Sequence, residues 1–521
     1  MLGVAIGIFI ACCLLPVGYL LLELLRRPTD SLGAMLLDAR RRGLLYNTAV
    51  LGAGTALVAT AIGAPLGILL ARVALSGKSV LRLALAAPAL IPPYVMGLSW
   101  VYLTNSRGIS PDWIYSLPAA IFVLSLVFSP LAMLATEVAM RRIDSRLEEA
   151  GLMVAPSGRV LRRITLPLTA PSILAGALLI FVLAVSEFGV PGLLRVRVYT
   201  TEVFTAFAAL YDFGRALTLT VPLLVSCVCV AAVAAILVGD PMVTTRRSGS
   251  SRPAVFGSWR RGGLAFALVV IGIALGVPIV VLAGEAARAG SVRQVLAESG
   301  SAITNSLVLS ATGATLVVSV ALWLGYARAR TLRSSGRIVD VVFVALFAVP
   351  STVVGVGLIG LWNRPGIVGT VYGTDAMFLL AYLARFVPVA ALMLAASARY
   401  VPVSHEEAAA VSGAGWARTI TRIVLPQMRL GIATAWVIVF VLAFGELGVS
   451  ILVTPPGEAT LPIRIYTMIA NTPPSHVAMF ALLQTIVVFT AVTVLGVVVA
   501  SLRSSARAQG VPSVVEGREA R

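Results

Sequence analysis

The sequence predicts an all-α integral membrane protein of about twelve transmembrane helices, built as two parallel six-helix repeats. Three observations predict it: an apolar composition, the recurrence of membrane-length stretches, and self-similarity between the two halves. Of 521 residues, 59% are hydrophobic and 12% charged, about half the charged share of an average soluble domain. A helix needs about 20 mostly apolar residues to cross the hydrocarbon core. Stretches of that length occur near 2–25, 45–71, 81–104, 117–140, 168–191, 217–239, 262–283, 303–327, 338–361, 376–398, 430–453 and 477–500. No period-two alternation accompanies them, which excludes a β-barrel. Inside lipid each segment must satisfy its own backbone, which leaves helices.

The net charge of +18 is distributed as a membrane protein distributes it. With a cytoplasmic N-terminus, the loops 72–82, 141–167, 240–261, 328–337, 399–429 and the tail share one side. They hold 26 of the 40 Lys and Arg, against 13 on the other side and Arg385 within a span. That bias is the positive-inside signature and puts both termini in the cytoplasm. The partner this charge implies is membrane lipid, not nucleic acid. Arg40, Arg41 and Arg42 break the pattern by falling outside. The first span lacks a basic leader and a small-x-small cleavage site, so it is expected to remain as a helix. Cys12, Cys13, Cys227 and Cys229 all fall within spans, at spacings that favour neither a disulfide nor a metal site.

Two copies of one unit run along the chain. Asn47-Thr48 matches Asn305-Ser306, Pro92 matches Pro350, and FVLAVSEFGV at 181–190 matches FVLAFGELGV at 440–449. Seven of those ten positions are identical, and Glu187 falls on Glu446. Such self-similarity is the mark of a duplicated unit. Six spans per unit is an even number, so the repeats are parallel and not inverted. The expected organisation is a first half at 1–239, a polar linker at 240–260, a second half at 261–502 and a tail at 503–521.

The cytoplasmic loops 141–167 and 399–429 occupy the same place in each half. Ser145 precedes Glu148 by three residues, and Ser404 precedes Glu407 likewise, which is the spacing of a capping box. A short helix is expected in each loop, breaking near Pro156-Ser157-Gly158 or Gly413-Ala414-Gly415, resuming, and stopping before Pro167 or Pro426. Matching caps, matching Leu-Pro ends and matching positions point to a docking element.

At these residues the sequence resembles the permease subunits of bacterial binding-protein-dependent ABC importers, which carry an EAA loop. Glu407, Ala408, Ala409, Gly413, Ile423, Leu425 and Pro426 fit that pattern position for position. Two registers fit the first loop: one starts at Glu148 with Val154 in place of the glycine, the other at Glu149-Ala150-Gly151 with a one-residue deletion before Pro167. The resemblance covers about 45–240 and 303–500. It implies that each loop docks as a coupling helix on one of two copies of a cytoplasmic ATP-binding subunit. It also implies a periplasmic solute-binding protein as the second partner. ATP belongs to that separate subunit, and no cofactor is expected in this chain. Ser76-Gly77-Lys78-Ser79 has the ending of a phosphate loop, but Arg72 stands where its first glycine is required.

Ionisable groups within spans are the place to look for the path, because charge in the bilayer is costly unless it faces a cavity or partner. Glu187 and Glu446 sit late in the fifth and eleventh spans, and Arg385 near the middle of the tenth. Two readings stand. The three brace the bundle, with Arg385 pairing one glutamate, or the glutamates face each other and line the path, where they would suit a hard cation. The Glu-Phe-Gly-Val-Pro and Glu-Leu-Gly-Val stretches are similar to those of fused double-length ferric-iron permeases of the bacterial inner membrane. Related permeases for thiamine, polyamines, phosphonates and oxyanions share much of the pattern. A secondary transporter also has two parallel six-helix halves but leaves the paired loops unexplained. A membrane enzyme would need a catalytic cluster, and His405 and His476 fall on opposite sides.

Overall fold

The computed structural model describes residues 1–26, 38–106, 108, 111–237, 260–290, 300–331 and 333–508. The expected linker lies outside the described residues apart from Arg260, and so does the tail beyond Ala508, where the last helix ends. The described residues are mostly helical, with no strand among them. Among the described residues ten helices are long and apolar enough to cross a membrane, or twelve when each of two bent pairs is counted as one span.

The bent pairs are the main departure from the sequence expectation. The third span is two helices, Lys78–Leu90 and Pro93–Ser106, set at 89°, and the ninth is Ile338–Ala348 and Ser351–Trp362, set at 92°. Proline explains both. Pro92 and Pro350 cannot donate to a helix ladder, and a residue before proline is pushed to extended geometry, as Ile91 is at φ −80° and ψ 122°. A broken helix in lipid exposes carbonyls that must be satisfied by protein. At the ninth span the Ala348 carbonyl accepts from Ser186 Oγ at 3.3 Å and Cys227 Sγ at 2.8 Å. Both donors come from the first half, so the break is stitched by the other repeat.

The second span (Ala39–Arg72) packs along the fourth (Leu117–Arg141), and the eighth (Gly300–Arg330) packs in the same way on the tenth (Ala376–Arg399). Small residues let these backbones meet. A Cβ on Gly67 would lie 2.5 Å from the Met133 carbonyl oxygen, and one on Gly325 2.8 Å from the Ala391 carbonyl oxygen. Both contacts repeat across the halves at the spacing the sequence shows. The fifth (Ser157–Ser186) and eleventh (Trp416–Phe444) spans complete each core. The first span (Leu2–Arg26), however, packs on the eighth, ninth and tenth, while the seventh (Arg260–Ala286) packs on the second, third and twelfth. Each half thus lends its first helix to the other. The fourth and tenth spans are the most enclosed, at 61% and 72% buried, against 22% for the seventh and twelfth. The lining of any path must therefore come from the inner helices.

Candidate functional site

Glu187 and Glu446 do not sit within their spans, as expected, but just past the ends of them. The helices finish at Ser186 and Phe444, and Glu187 is extended at φ −73° and ψ 129°. Each carboxylate folds forward over the turn that follows. Glu187 Oε1 accepts from Gly189 N at 2.9 Å and Val190 N at 3.4 Å. Glu446 Oε1 accepts from Val449 N at 3.1 Å. These bonds satisfy N–H groups at the start of Gly189–Leu193 and just before Ser450–Val453, as an acidic group does at a helix start. They occupy one oxygen of each carboxylate.

Both glutamates line one cavity of about 160 Å³. Its walls come in matched pairs: the breaks of the third and ninth spans around Pro92 and Ser351, the glutamate turns, and Phe128 with Phe386 from the fourth and tenth spans. At one of these pairs the chemistry differs: the counterpart of Arg385 in the first half is Val127. Among the described residues no ion pair joins Arg385 to Glu187 or Glu446, so the pairing considered within the bracing reading is not seen. Arg385 Nη1 donates to the Phe347 carbonyl at 3.1 Å and to the Val349 carbonyl. The guanidinium is drawn there because the broken ninth span leaves those carbonyls without helical donors. Among the described residues, no three of His, Cys, Asp and Glu gather as a metal-holding group.

The loops hold the expected short helices, Ser145–Val154 and Val403–Val411, but the capping differs. Asp144 caps the first, its Oδ1 accepting from Arg146 N at 3.0 Å, and Pro402 precedes the second with no side-chain cap. Ser145 and Ser404 are already helical. The glutamate that seemed to close the first box is engaged elsewhere. Glu148 Oε1 accepts from Arg72 Nε at 3.0 Å and Thr165 Oγ1 at 2.8 Å, and Arg72 Nη2 donates to the Met140 carbonyl at 2.7 Å. The second half repeats the arrangement. Arg330 pairs with Glu406 and reaches the Ala398 carbonyl at 3.4 Å, and Tyr326 Oη donates to Glu406 at 2.7 Å.

These clamps align Glu148 with Glu406. Glu149-Ala150-Gly151 therefore corresponds to Glu407-Ala408-Ala409, the second of the two registers. Glu149 and Glu407 are exposed, and Gly151 and Ala409 buried. A Cβ on Gly151 would lie 2.9 Å from Ile164 Cδ1, so a larger residue there would have to push the end of the Ile164 side chain aside. The length difference falls after the helix. Gly413 takes φ +76°, whereas the first half passes directly through extended Ala155 into Pro156. The helices that resume do not stop before Pro167 and Pro426. They run on into the fifth and eleventh spans through one widened turn, 161–165 or 420–424, which relieves the proline ring's clash with the preceding turn. Arg72, Arg330, Tyr326 and Thr165 were not singled out from sequence as site residues. The repeat spacing carried the signal, since Arg72 and Glu148 recur as Arg330 and Glu406.

Residues 63–240 and 318–504 each match the family described as binding-protein-dependent transport system inner membrane components. The two matches together cover well over half of the chain. This protein belongs to that permease family. Among its relatives is the Fe(3+)-transport system permease protein FbpB 2 of Haemophilus influenzae, 26% identical over 439 residues, covering 83% of this chain and 85% of that protein. A probable molybdenum ABC transporter permease of Haloferax volcanii is 29% identical over 228 residues, covering 40% of this chain and 82% of that protein. The molybdenum transport system permease ModB of Escherichia coli is 33% identical over 131 residues, 23% of this chain and 57% of that protein. The chain is thus a multi-pass permease of the ABC importer class, with the permease unit present twice.

Proposed function

We propose that this permease carries ferric iron into the cytoplasm, delivered by a periplasmic solute-binding protein and driven by two copies of a cytoplasmic ATP-binding subunit. The observation that carries the iron reading is the pair Glu187 and Glu446, set by the repeat on one cavity. Each carboxylate has one oxygen committed to backbone and one left over, a hard-ligand pair that can pass a hard cation without caging it. Support also comes from the double-length relative named for Fe(3+), which this chain matches through both halves. The test is uptake of ⁵⁵Fe, dependent on the binding protein, in cells carrying Glu187→Gln with Glu446→Gln. Uptake should fall at least tenfold with the protein still in the membrane. Unchanged uptake would sink the carboxylate role.

Arg385 favours a second reading. A lone guanidinium on the same cavity suits an oxyanion, and the single-unit relatives are named for molybdenum. Uptake of ⁹⁹Mo-molybdate run in parallel separates the two, because Arg385→Gln would abolish molybdate uptake if that reading were correct.

The helices Ser145–Val154 and Val403–Val411 are the proposed coupling elements, with Glu149, Ala150, Gly151 and Pro167 in one and Glu407, Ala408, Ala409, Gly413 and Pro426 in the other. Support comes from Met153 and Val411. They occupy equivalent positions, apolar yet 86% and 90% exposed, as expected of residues that seat in a partner's cleft. In this reading both termini are cytoplasmic.

A further inference from the structure

Of the three arginines that break the charge bias, Arg40 belongs to a larger feature. The fifth span leads away from the loop helices, so the segment after Glu187 lies at the opposite end of the bundle. There Arg40, Arg195, Arg197 and Arg215 line one open cleft of about 560 Å³. All four are exposed. The acidic groups facing it are few. Glu202 pairs with Arg40 at 3.1 Å and Asp38 with Arg41 at 3.5 Å, while Asp212 accepts from the backbone of Arg215 at 2.9 Å. Among the described residues, no ion pair involves the side chains of Arg195, Arg197 or Arg215.

The frame holding these arginines is stiff. Asn47 Nδ2 donates to the Arg197 carbonyl at 3.0 Å, Val196 N to the Pro191 carbonyl at 2.8 Å, and Tyr199 N to Thr48 Oγ1 at 3.0 Å. The second half repeats the last bond, from Leu461 N to Ser306 Oγ at 2.5 Å, so the two segments can be laid over each other. Counted from that bond, Arg195 coincides with Gly457. Gly457 is left-handed at φ +87°, and Arg195 holds the same conformation at φ +56°. Glycine takes it freely and a side chain does not. The first half thus holds an arginine in a strained turn where glycine would be easier, with its guanidinium 5.1 Å from the centre of the Tyr115 ring. The corresponding stretch of the second half, Thr454-Pro455-Pro456-Gly457-Glu458-Ala459-Thr460, has no basic residue. There the equivalent asparagine, Asn305, donates to Glu458 at 2.6 Å.

We infer that this cleft is the docking surface for an acidic face on one lobe of the solute-delivering protein, and that it fixes which lobe sits on which half. The inference rests on the delivery reading above. A small-anion site would gather its arginines into an enclosed pocket. These are exposed, come from three separate segments, and are repeated nowhere in the corresponding segment. A large partner that must bind one way round on a nearly twofold frame needs such a one-sided charge, which steers the approach and rejects the reversed orientation.

The experiment uses the whole transporter in nanodiscs, with the purified binding protein loaded with its solute. ATPase rate is measured against binding-protein concentration at low and high salt. Replacing Arg195, Arg197 and Arg215 together by Gln should raise the half-saturating concentration about tenfold at low salt and flatten its salt dependence. Basal and maximal rates should stay unchanged, which also shows that the variant is folded. Unchanged half-saturation and salt dependence would overturn the inference and leave the delivery reading intact. A fall in maximal rate alone would overturn it in favour of a solute-anion site, and dependence on anionic lipid content in favour of a headgroup site. No stimulation of the unaltered transporter by the binding protein would remove the delivery reading and the inference with it.

Discussion

Replacing Arg72 by Gln tests the clamp beneath the first loop helix. Arg72 is 0% exposed, and its partner Glu148 keeps 7% of its side chain exposed. The substitution leaves a buried carboxylate with Thr165 as its remaining side-chain donor, and removes a donor from the Met140 carbonyl. Breaking one side of a buried pair costs about 3–5 kcal/mol. The equivalent Arg330→Gln should cost less. That pair is 19% and 17% exposed, Glu406 keeps the Tyr326 hydroxyl, and a lost hydrogen bond to a charged group is worth about 1.5–3 kcal/mol. Reversible unfolding in mixed detergent micelles, read by helix content, measures both. The double change Arg72→Gln with Glu148→Gln removes the stranded charge and should recover at least half of the single loss, a coupling that a double-mutant cycle isolates. Equal losses at Arg72 and Arg330, or a double variant no better than the single, would refute the argument that burial sets the cost.

Other outcomes follow from the same geometry. Gly67→Leu and Gly325→Leu should each strip folded protein from the membrane fraction, because the added atoms run into the carbonyls of Met133 and Ala391; even Gly67→Ala should cost about 1–3 kcal/mol through overpacking. Met153→Asp with Val411→Asp should abolish co-purification of the ATP-binding subunit while leaving the permease's melting temperature unchanged, since both side chains face solvent. Arg82→Glu should destabilise the first half by setting a second acid against Glu137, which Arg82 Nη2 holds at 2.8 Å and Arg141 Nη2 at 2.5 Å, and adding Glu137→Gln should restore part of the loss by removing the like-charge contact, both read by thermal melting.

The sequence made the helices, their number and their duplication legible, because span length and lipid exclusion leave little choice of structure. The two sharp breaks were less legible. Pro92 and Pro350 were visible as matched residues, but proline within a span can be tolerated, as Pro65, Pro130 and Pro388 are inside unbroken helices. What distinguishes a break is tertiary: Ser186, Cys227 and Arg385 supply the donors that the severed carbonyls need. The capping boxes failed for a related reason. The spacing from Ser145 to Glu148 is local, whereas Glu148 is claimed by Arg72, a partner 76 positions earlier in the chain. The exchange of first helices between halves left no trace in local pattern at all.

Departures from the repeat separate into two kinds, and the difference bears on function. Where the third span meets the fourth, Arg82 binds Glu137 in the first half. In the second half the counterpart of Arg82 is Asp340, which binds Arg328 of the eighth span at 2.5 Å and lies 4.0 Å from Arg399 of the tenth. The charge at that position is reversed, and a partner of opposite sign is found for it on a different span. Such an exchange keeps the position paired, and it marks a contact whose purpose is the fold. Arg385 against Val127 is of the other kind, as are the arginines of the outer cleft against Gly457 and Glu458. No opposite change answers them in the other half. A buried guanidinium needs donor-matched surroundings to be tolerated, and Arg195 needs a strained turn, so each carries a cost that fold alone does not require. Uncompensated asymmetry falls at the cavity and at the outer cleft. Those are the places where a transporter built on a twofold frame handles a solute and a partner that are not twofold themselves.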